Sequence, residues 1–206
     1  MSTLIESEVR ARAQTEIIRD RARRGFASAR TSRDILVEST ISFSETTCYD
    51  AFLSHSFKDT DLILGVKATL DDLGYRTYID WIDDPHLDRL SVTYETAQIL
   101  KQRMRSSRSL LYVTTMNSVN SRWMPWECGY VDGYSGKVAI LPITPTPQTK
   151  FVGLEYMSLY PYCEKMRGVD HKERLYITTG HLDHISFERW IEVPRQFDDG
   201  IVVFSN

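Results

Sequence analysis

Trp123 and Glu127 stand four residues apart in the run Trp123-Met124-Pro125-Trp126-Glu127. On a helix that spacing puts the indole and the carboxylate on one face, a turn apart. A carboxylate beside an indole is poor core material, because burying an unpaired charge is costly. The pair suits an aromatic, positively charged ligand, with the ring packed against it and the anion balancing its charge. Glu127 would then stabilise an oxocarbenium-like sugar cation and hold a ribose hydroxyl while a glycosidic bond to a good leaving group breaks. The plainer reading makes Glu127 a partly exposed helix acid favoured by the macrodipole and Trp123 a core residue. Spacing alone leaves both open.

Other candidates are weaker. Asp80, Asp83, Asp84 and Asp88 make an acidic loop, but it lacks the tight-turn glycine and closing glutamate of a calcium loop. His181-Leu182-Asp183-His184 has metal-ligand types without further ligands, so no metal is expected. His55 and Ser56 are neighbours in sequence, which does not make a nucleophile–base pair. Neither Gly-x-Gly-x-x-Gly nor Gly-x-x-x-x-Gly-Lys-Ser/Thr occurs, which argues against ordinary Rossmann dinucleotide binding and P-loop phosphate transfer. Cys128 follows Glu127 at about 100° around the helix and is expected to face the protein interior.

The elements that must position Glu127 follow from hydrophobic spacing. A short apolar strand at 49–54 leads through polar His55-Ser56-Phe57-Lys58 to a helix that begins near Asp59 or Thr60. That helix carries Leu62, Ile63, Val66, Leu70 and Leu73 at helical spacing and stops at Gly74, a natural residue to follow a helix end. A second strand (76–81), a long acidic loop with Pro85, and a helix from about 91 to 105 come next. A third strand (109–114), the Trp123 helix (123–136) and a fourth strand (137–143) follow. Residues 157–160 read as a fifth short strand. The strands are apolar without clean alternation, as when both faces are covered. This predicts an α/β fold with an open parallel sheet and right-handed crossovers. Ligands in such sheets sit at the carboxyl ends of the strands, which is where the loops at 55–58, 81–90 and 115–122 and the start of the Trp123 helix should lie.

Residues 1–36 read as helix, with eight arginines (10, 12, 19, 21, 23, 24, 30, 33) against four acids (6, 8, 16, 20) over the first 33 positions. Such a segment is either a solvated helix or hairpin packed on the domain or on another subunit, or an arm for an acidic partner. Residues 38–47 look like a linker or short edge strand. We therefore divide the chain into a helical extension and linker (1–47), a central domain (48–164) and a C-terminal elaboration of the same domain (165–206). Strands are expected at 174–179 and 201–204 and a short helix or strand near 187. His181, His184 or Trp190 could enter the ligand cleft from this elaboration.

Composition sets limits. The net charge of −3 gives no general case for nucleic-acid binding, and no apolar run approaches a membrane span. The N-terminus has early acids and no apolar signal-peptide core. Three widely spaced cysteines (Cys48, Cys128, Cys163) fit reduced thiols rather than a disulfide framework. A cytoplasmic protein is expected.

Taken in order, these pieces have a family likeness. Tyr49-Asp50-Ala51-Phe52-Leu53-Ser54-His55-Ser56 with Asp59 resembles the opening strand and loop of a TIR domain. Leu73-Gly74-Tyr75-Arg76-Thr77-Tyr78-Ile79-Asp80 resembles the second strand, and 81–90 the long loop after it, here with Pro85 and His86 inserted. Arg108-Ser109-Leu110-Leu111-Tyr112-Val113-Thr114 resembles the third strand, Trp123 and Glu127 match the W-x-x-x-E signature, and 137–143 matches the fourth strand. The likeness covers roughly residues 48–162. No piece is specific alone; five in this order are.

The resemblance implies a flavodoxin-like sheet and, in the bacterial branch that cleaves NAD+, catalysis by the signature glutamate, here Glu127. Trp123 would line the same pocket. Ser56, Phe57 and Lys58 after the first strand, and Asp80 and Trp81 after the second, would bind NAD+, with Lys58 reaching a phosphate by its charge. NAD+ is then substrate, not cofactor, and no cofactor is implied. Water as acceptor gives ADP-ribose, an internal hydroxyl or adenine nitrogen a cyclic form, and another nucleophile a conjugate. The family further implies a homo-oligomer, a phage-derived trigger and a separate effector that senses the product, as in antiphage defence of the Thoeris kind. Two alternatives stand beside this reading: a TIR module that only assembles, and a nucleoside deoxyribosyltransferase-like enzyme, which also uses a glutamate. A response-regulator receiver is disfavoured because the acidic pair after its first strand is absent.

Overall fold

In a computed structural model, four short apolar runs form parallel strands: β2 (Ala51–Ser54), β3 (Thr77–Ile79), β4 (Leu110–Thr114) and β5 (Val138–Thr144). The residues described are 4–25, 30–41, 47–79, 93–146, 155–178 and 184–193. Asp80, Trp81, the loop at 81–90, His181 and the strand expected at 201–204 lie outside them. The strands lie in the order β3-β2-β4-β5, with Ser54 opposite Tyr112 and Tyr112 opposite Ile140. Every residue in them is buried, which explains their unalternating apolar sequences: helices cover both faces.

One face packs Leu53, Leu111 and Leu141 against α3 (Thr60–Asp72), which contributes Leu62, Ile63 and Leu70. The other packs Phe52, Leu110, Tyr112 and Ile140 against α4 (Tyr94–Arg105) and α5 (Trp123–Ser135), through Leu100, Met104, Met124, Cys128 and Val131. The helix expected at 123–136 is therefore present and sits after the third strand of the parallel set. No helix among the described residues is long and apolar enough to cross a membrane.

The N-terminal arginines belong to two helices, α1 (Glu6–Arg24) and α2 (Ser32–Ile41). Gly25, at φ +83°, follows α1, a conformation glycine adopts without a Cβ penalty. Ahead of α1, the two-residue strand β1 (Leu4–Ile5) runs parallel to the end of β5, pairing Leu4 with Ile143 and Ile5 with Thr144. Both helices pack onto the α3 side of the sheet through Val9, Ala13 and Leu36, all buried. Residues 38–41, expected as linker or edge strand, instead continue α2. Burial of Leu36 against Leu64 and Val66 in one core outweighs the local β-branched preference, as tertiary packing commonly does.

The contact with α3 is made at Gly65. A Cβ there would lie 2.0 Å from the Val9 carbonyl oxygen, so the two helix backbones touch. An ion pair fringes the contact, with Arg12 Nε 2.5 Å from Asp72 Oδ2.

After β5 the sequence reading needs one correction. Residues 157–160 were expected as a strand, but 157–159 belong to a 3-10 turn (Glu155–Leu159), Tyr160 follows it, and the next strand, β6 (Tyr162–Arg167), begins later. Met157 is buried, Leu159 is exposed, and the Tyr160 amide closes the turn onto the Met157 carbonyl. Pro161 has no N–H to give a ladder, but its carbonyl accepts the Ile140 amide and brings Tyr162 beside Ile140.

β7 (Glu173–Thr178) and β8 (His184–Ser186) add antiparallel strands, and α6 (Phe187–Glu192) follows. Tyr75 ties α6 to the start of β3: its hydroxyl donates to Glu188 Oε1 at 2.6 Å and accepts the Leu175 amide. Trp190 is buried, with Lys137 Nζ 5.2 Å from a ring centroid. Lys137 precedes β5, so Trp190, one of three residues that could have entered the cleft, packs instead at the amino end of that strand. His184 is exposed and bonds Thr178 Oγ1 at 2.9 Å.

Candidate active site

Glu127 is 4% exposed and Ser54 fully buried, and the Ser54 hydroxyl donates to Glu127 Oε2 at 2.5 Å. Ser54 ends β2 and shares the face of Phe52, by the two-residue period of a strand. On α5, Met124, Cys128 and Val131 are buried against that face. Glu127 lies between them and meets the carboxyl end of β2. Glu127 is thus not the partly exposed helix acid of the plainer reading: it is a buried carboxyl group with a hydroxyl partner, as burial of a polar group demands.

Tyr112 lies opposite Ser54 across the β2–β4 pair. Burial, then the facing Tyr156 hydroxyl and the nearby Cys128 and Glu127, hold its phenol far above the ordinary range, so it stays protonated. Burial also pushes the Cys128 thiol up to about 11, which removes it as a neutral-pH nucleophile. The arrangement is one carboxyl group among hydroxyls, shielded from solvent. It can stabilise a developing cation and orient a hydroxyl. Among the described residues, no group of three His, Cys, Asp or Glu side chains gathers as metal ligands.

A hydrogen-bonded relay holds the loops at this edge. Asp59, buried at the end of the 3-10 turn Phe57–Asp59, accepts from the Thr115 hydroxyl and, at 2.6 Å, from Asn117 Nδ2. Ser118 Oγ takes the Thr115 amide at 3.2 Å, and Ser121 Oγ takes the Met124 amide at 3.3 Å at the start of α5. The loop after β2 is thereby joined to the loop that launches the Glu127 helix. Replacing Asp59 by alanine strands two half-buried donors and is expected to cost about 1 kcal/mol. Thermal melting should show the loss, and amide exchange should speed up at 115–121 while the β4 and β5 amides stay protected.

The other residues expected at the site are placed as follows. Ser56 is buried, and its Oγ accepts the Lys58 amide at 3.4 Å, capping the turn. Phe57 and Lys58 are exposed at the same edge. Trp123 is half-buried and meets Trp126 edge-on at 5.5 Å, the start of a ring series that continues through Tyr130 and Tyr134. It lies one turn before Glu127 at the rim of the second core. Asp80 and Trp81 lie outside the described residues. Ser54, Tyr112 and Asp59 were not singled out from sequence as site residues. The one available signal was the strand period that puts Ser54 on the face of Phe52.

No protein-family model matches the chain. A protein of Bacillus cereus (strain MSX-D12), named "Probable 3' cyclic ADP-D-ribose synthase ThsB'", is 40% identical over 169 residues, covering 81% of this chain and 88% of that protein. A Cytobacillus dafuensis protein, provisionally named as the cyclic ADP-D-ribose synthase TIR2, is 36% identical over 83 residues. That match spans 40% of this chain and only 22% of the relative.

Proposed function

This chain belongs to the TIR-domain family, and on that footing we propose that it cleaves NAD+ at the nicotinamide–ribose bond and closes the ADP-ribosyl group on itself. The observation that carries the proposal is the buried Glu127 carboxylate, held by Ser54 at the carboxyl end of the parallel strands. Nicotinamide in NAD+ is already cationic, so its nitrogen leaves with the bonding electron pair and needs no proton. Glu127 stabilises the positive charge left on the ribose, an electrostatic role whose worth rises as water is excluded. A hydroxyl of the same molecule then bonds to that carbon and gives up its proton, so NAD+ yields nicotinamide, a cyclic ADP-ribose and one proton. Cyclisation over hydrolysis is supported by the scarcity of water around a carboxylate that is 4% exposed, and by the products named for both relatives.

On this reading Trp123, Ser56, Phe57, Lys58, Asp80 and Trp81 contact the dinucleotide. The cyclic product acts as a signal to a separate effector in defence against phage, and a homo-oligomer formed in response to a phage trigger is the active form. Mass spectrometry of NAD+ incubated with the purified protein tests the reaction and its acceptor together. The expected products are nicotinamide and a species lighter than ADP-ribose by one water. ADP-ribose alone would replace cyclisation by hydrolysis. Unaltered NAD+, with protein at concentrations that drive assembly, would favour the purely assembling module.

A further inference from the structure

Burial makes the charged form of a carboxyl group costly, and a hydroxyl that donates to it offsets that cost. Glu127 and Ser54 are both buried, so little solvent is there to share the task. The Ser54 hydroxyl stands 2.5 Å from Glu127 Oε2. So short a separation belongs with hydrogen bonds to an ionised acceptor, which are shorter and stronger than neutral ones. Tyr112 stands opposite Ser54 on β4, near enough to feel Glu127. Its hydroxyl has no hydrogen-bond partner among the described residues, so it is Ser54, not Tyr112, that donates to the carboxyl group.

Donor and acceptor ride on different elements, Ser54 at the end of β2 and Glu127 on α5. The Asp59 relay braces both, because it ties the loop after Ser54 to the loop that launches α5. The bond is therefore set before a ligand arrives, as electrostatic catalysis requires. The other titratable groups around it are few. Burial pushes the Cys128 thiol up to about 11 and holds the phenols of Tyr112 and Tyr160 above their ordinary range. Tyr156 faces Tyr112, and Asp132, one turn beyond Cys128, accepts from Tyr160 at 3.4 Å. On the β2 side stands His55, buried, with Nδ1 2.9 Å from the Leu53 carbonyl oxygen.

We propose that Ser54 is a positioning residue that keeps the Glu127 carboxyl group ionised and fixed in place for the reaction. This rests on the NAD+ reading of that site, and it makes one serine hydroxyl set the pH range in which the site works. The sign follows from the bond. Without the hydroxyl the anion loses a favourable partner while the burial stays, so the carboxyl group takes up its proton at a higher pH.

Two measurements on the full chain test it. The NMR resonance of the Glu127 carboxyl carbon, assigned by its loss in Glu127→Gln, is expected to titrate about one to two pH units higher in Ser54→Ala, the size of one hydrogen bond to a charged group. That signal reads Glu127 itself, so titration of His55 or Asp132 does not stand in for it. In turnover, the acid limb of kcat/KM for NAD+ should move up by the same interval. Below the limb Ser54→Ala should be roughly ten- to a hundredfold less active than wild type, with the deficit narrowing as pH rises. Ser54→Thr, which keeps a hydroxyl, should titrate close to wild type. An unmoved carboxyl titration in Ser54→Ala overturns the proposal, as does an activity deficit that is equal at every pH, the mark of a merely structural serine. A moved titration in a protein that leaves NAD+ intact would sink the catalytic reading and keep the hold of Ser54 on the charge.

Discussion

Glu127→Gln is expected to lower NAD+ cleavage by about a thousandfold or more, the scale on which removing a key transition-state stabiliser acts, while the protein keeps its fold. Glutamine is nearly isosteric, and its amide oxygen can still accept the Ser54 hydroxyl that Glu127 holds at 2.5 Å. What it cannot supply is the negative charge. Removing a buried charge also lifts a desolvation cost, so the variant should melt at or slightly above the wild-type temperature. Loss of activity with an unchanged or raised melting point separates chemistry from folding. The loss should fall on kcat and kcat/KM alike, because the missing interaction is one made in the transition state. Turnover by the variant equal to wild type, measured in the same assembled state, would remove Glu127 from the reaction.

Gly65→Ala is expected to be the most damaging single substitution outside the site. The added methyl would lie 2.0 Å from the Val9 carbonyl oxygen and 2.8 Å from its carbon. These are backbone atoms of a helix, so no side-chain rotation relieves the clash. Either α1 lifts off α3, exposing Val9 and Ala13, or α3 shifts against the sheet. Overpacking of this kind costs up to about 3 kcal/mol, which for a chain of this size is a fall in melting temperature of roughly 6–12 °C. Alanine is ordinarily the better helix former by about 1 kcal/mol, so the sign of the change is itself diagnostic. Amide exchange should report faster opening throughout α1 with β2 and β4 protected. A variant as stable as wild type would mean that the helices do not touch at Gly65.

The one-turn spacing of Trp123 and Glu127 was legible because both lie on one helix, where about four residues make a turn. The parallel sheet was legible because Ala51–Ser54, Leu110–Thr114 and Val138–Thr144 are apolar on both faces. Ser54 was not, since its partner is 73 positions away and a serine closing an apolar run has no pattern of its own. The bonds from Asp59 to Thr115 and Asn117 span 56 and 58 positions and are invisible for the same reason. Asp59 was read only as marking a helix start near 59 or 60, and the structure uses its carboxylate to bind a different loop. The misplaced fifth strand shows the other failure. Met157 and Tyr160 looked like strand residues, but one buried methionine followed by an exposed leucine suits a turn, and only the position of Ile140 decides where the next strand can start. Gly65 carried a usable clue: a glycine inside an otherwise apolar helix commonly marks a close backbone approach, although what approaches comes from 56 residues earlier.

The two-residue strand β1 has a practical side. Leu4 and Ile5 pair with Ile143 and Thr144, beyond the last β4 contact at Pro142, so α1 sets out from the carboxyl edge of the sheet, the edge that also carries Ser54 and Phe57. A substitution at Leu4 or Ile5 therefore acts on the helical extension and on that edge together, and the fold of such a variant has to be measured before its activity is read.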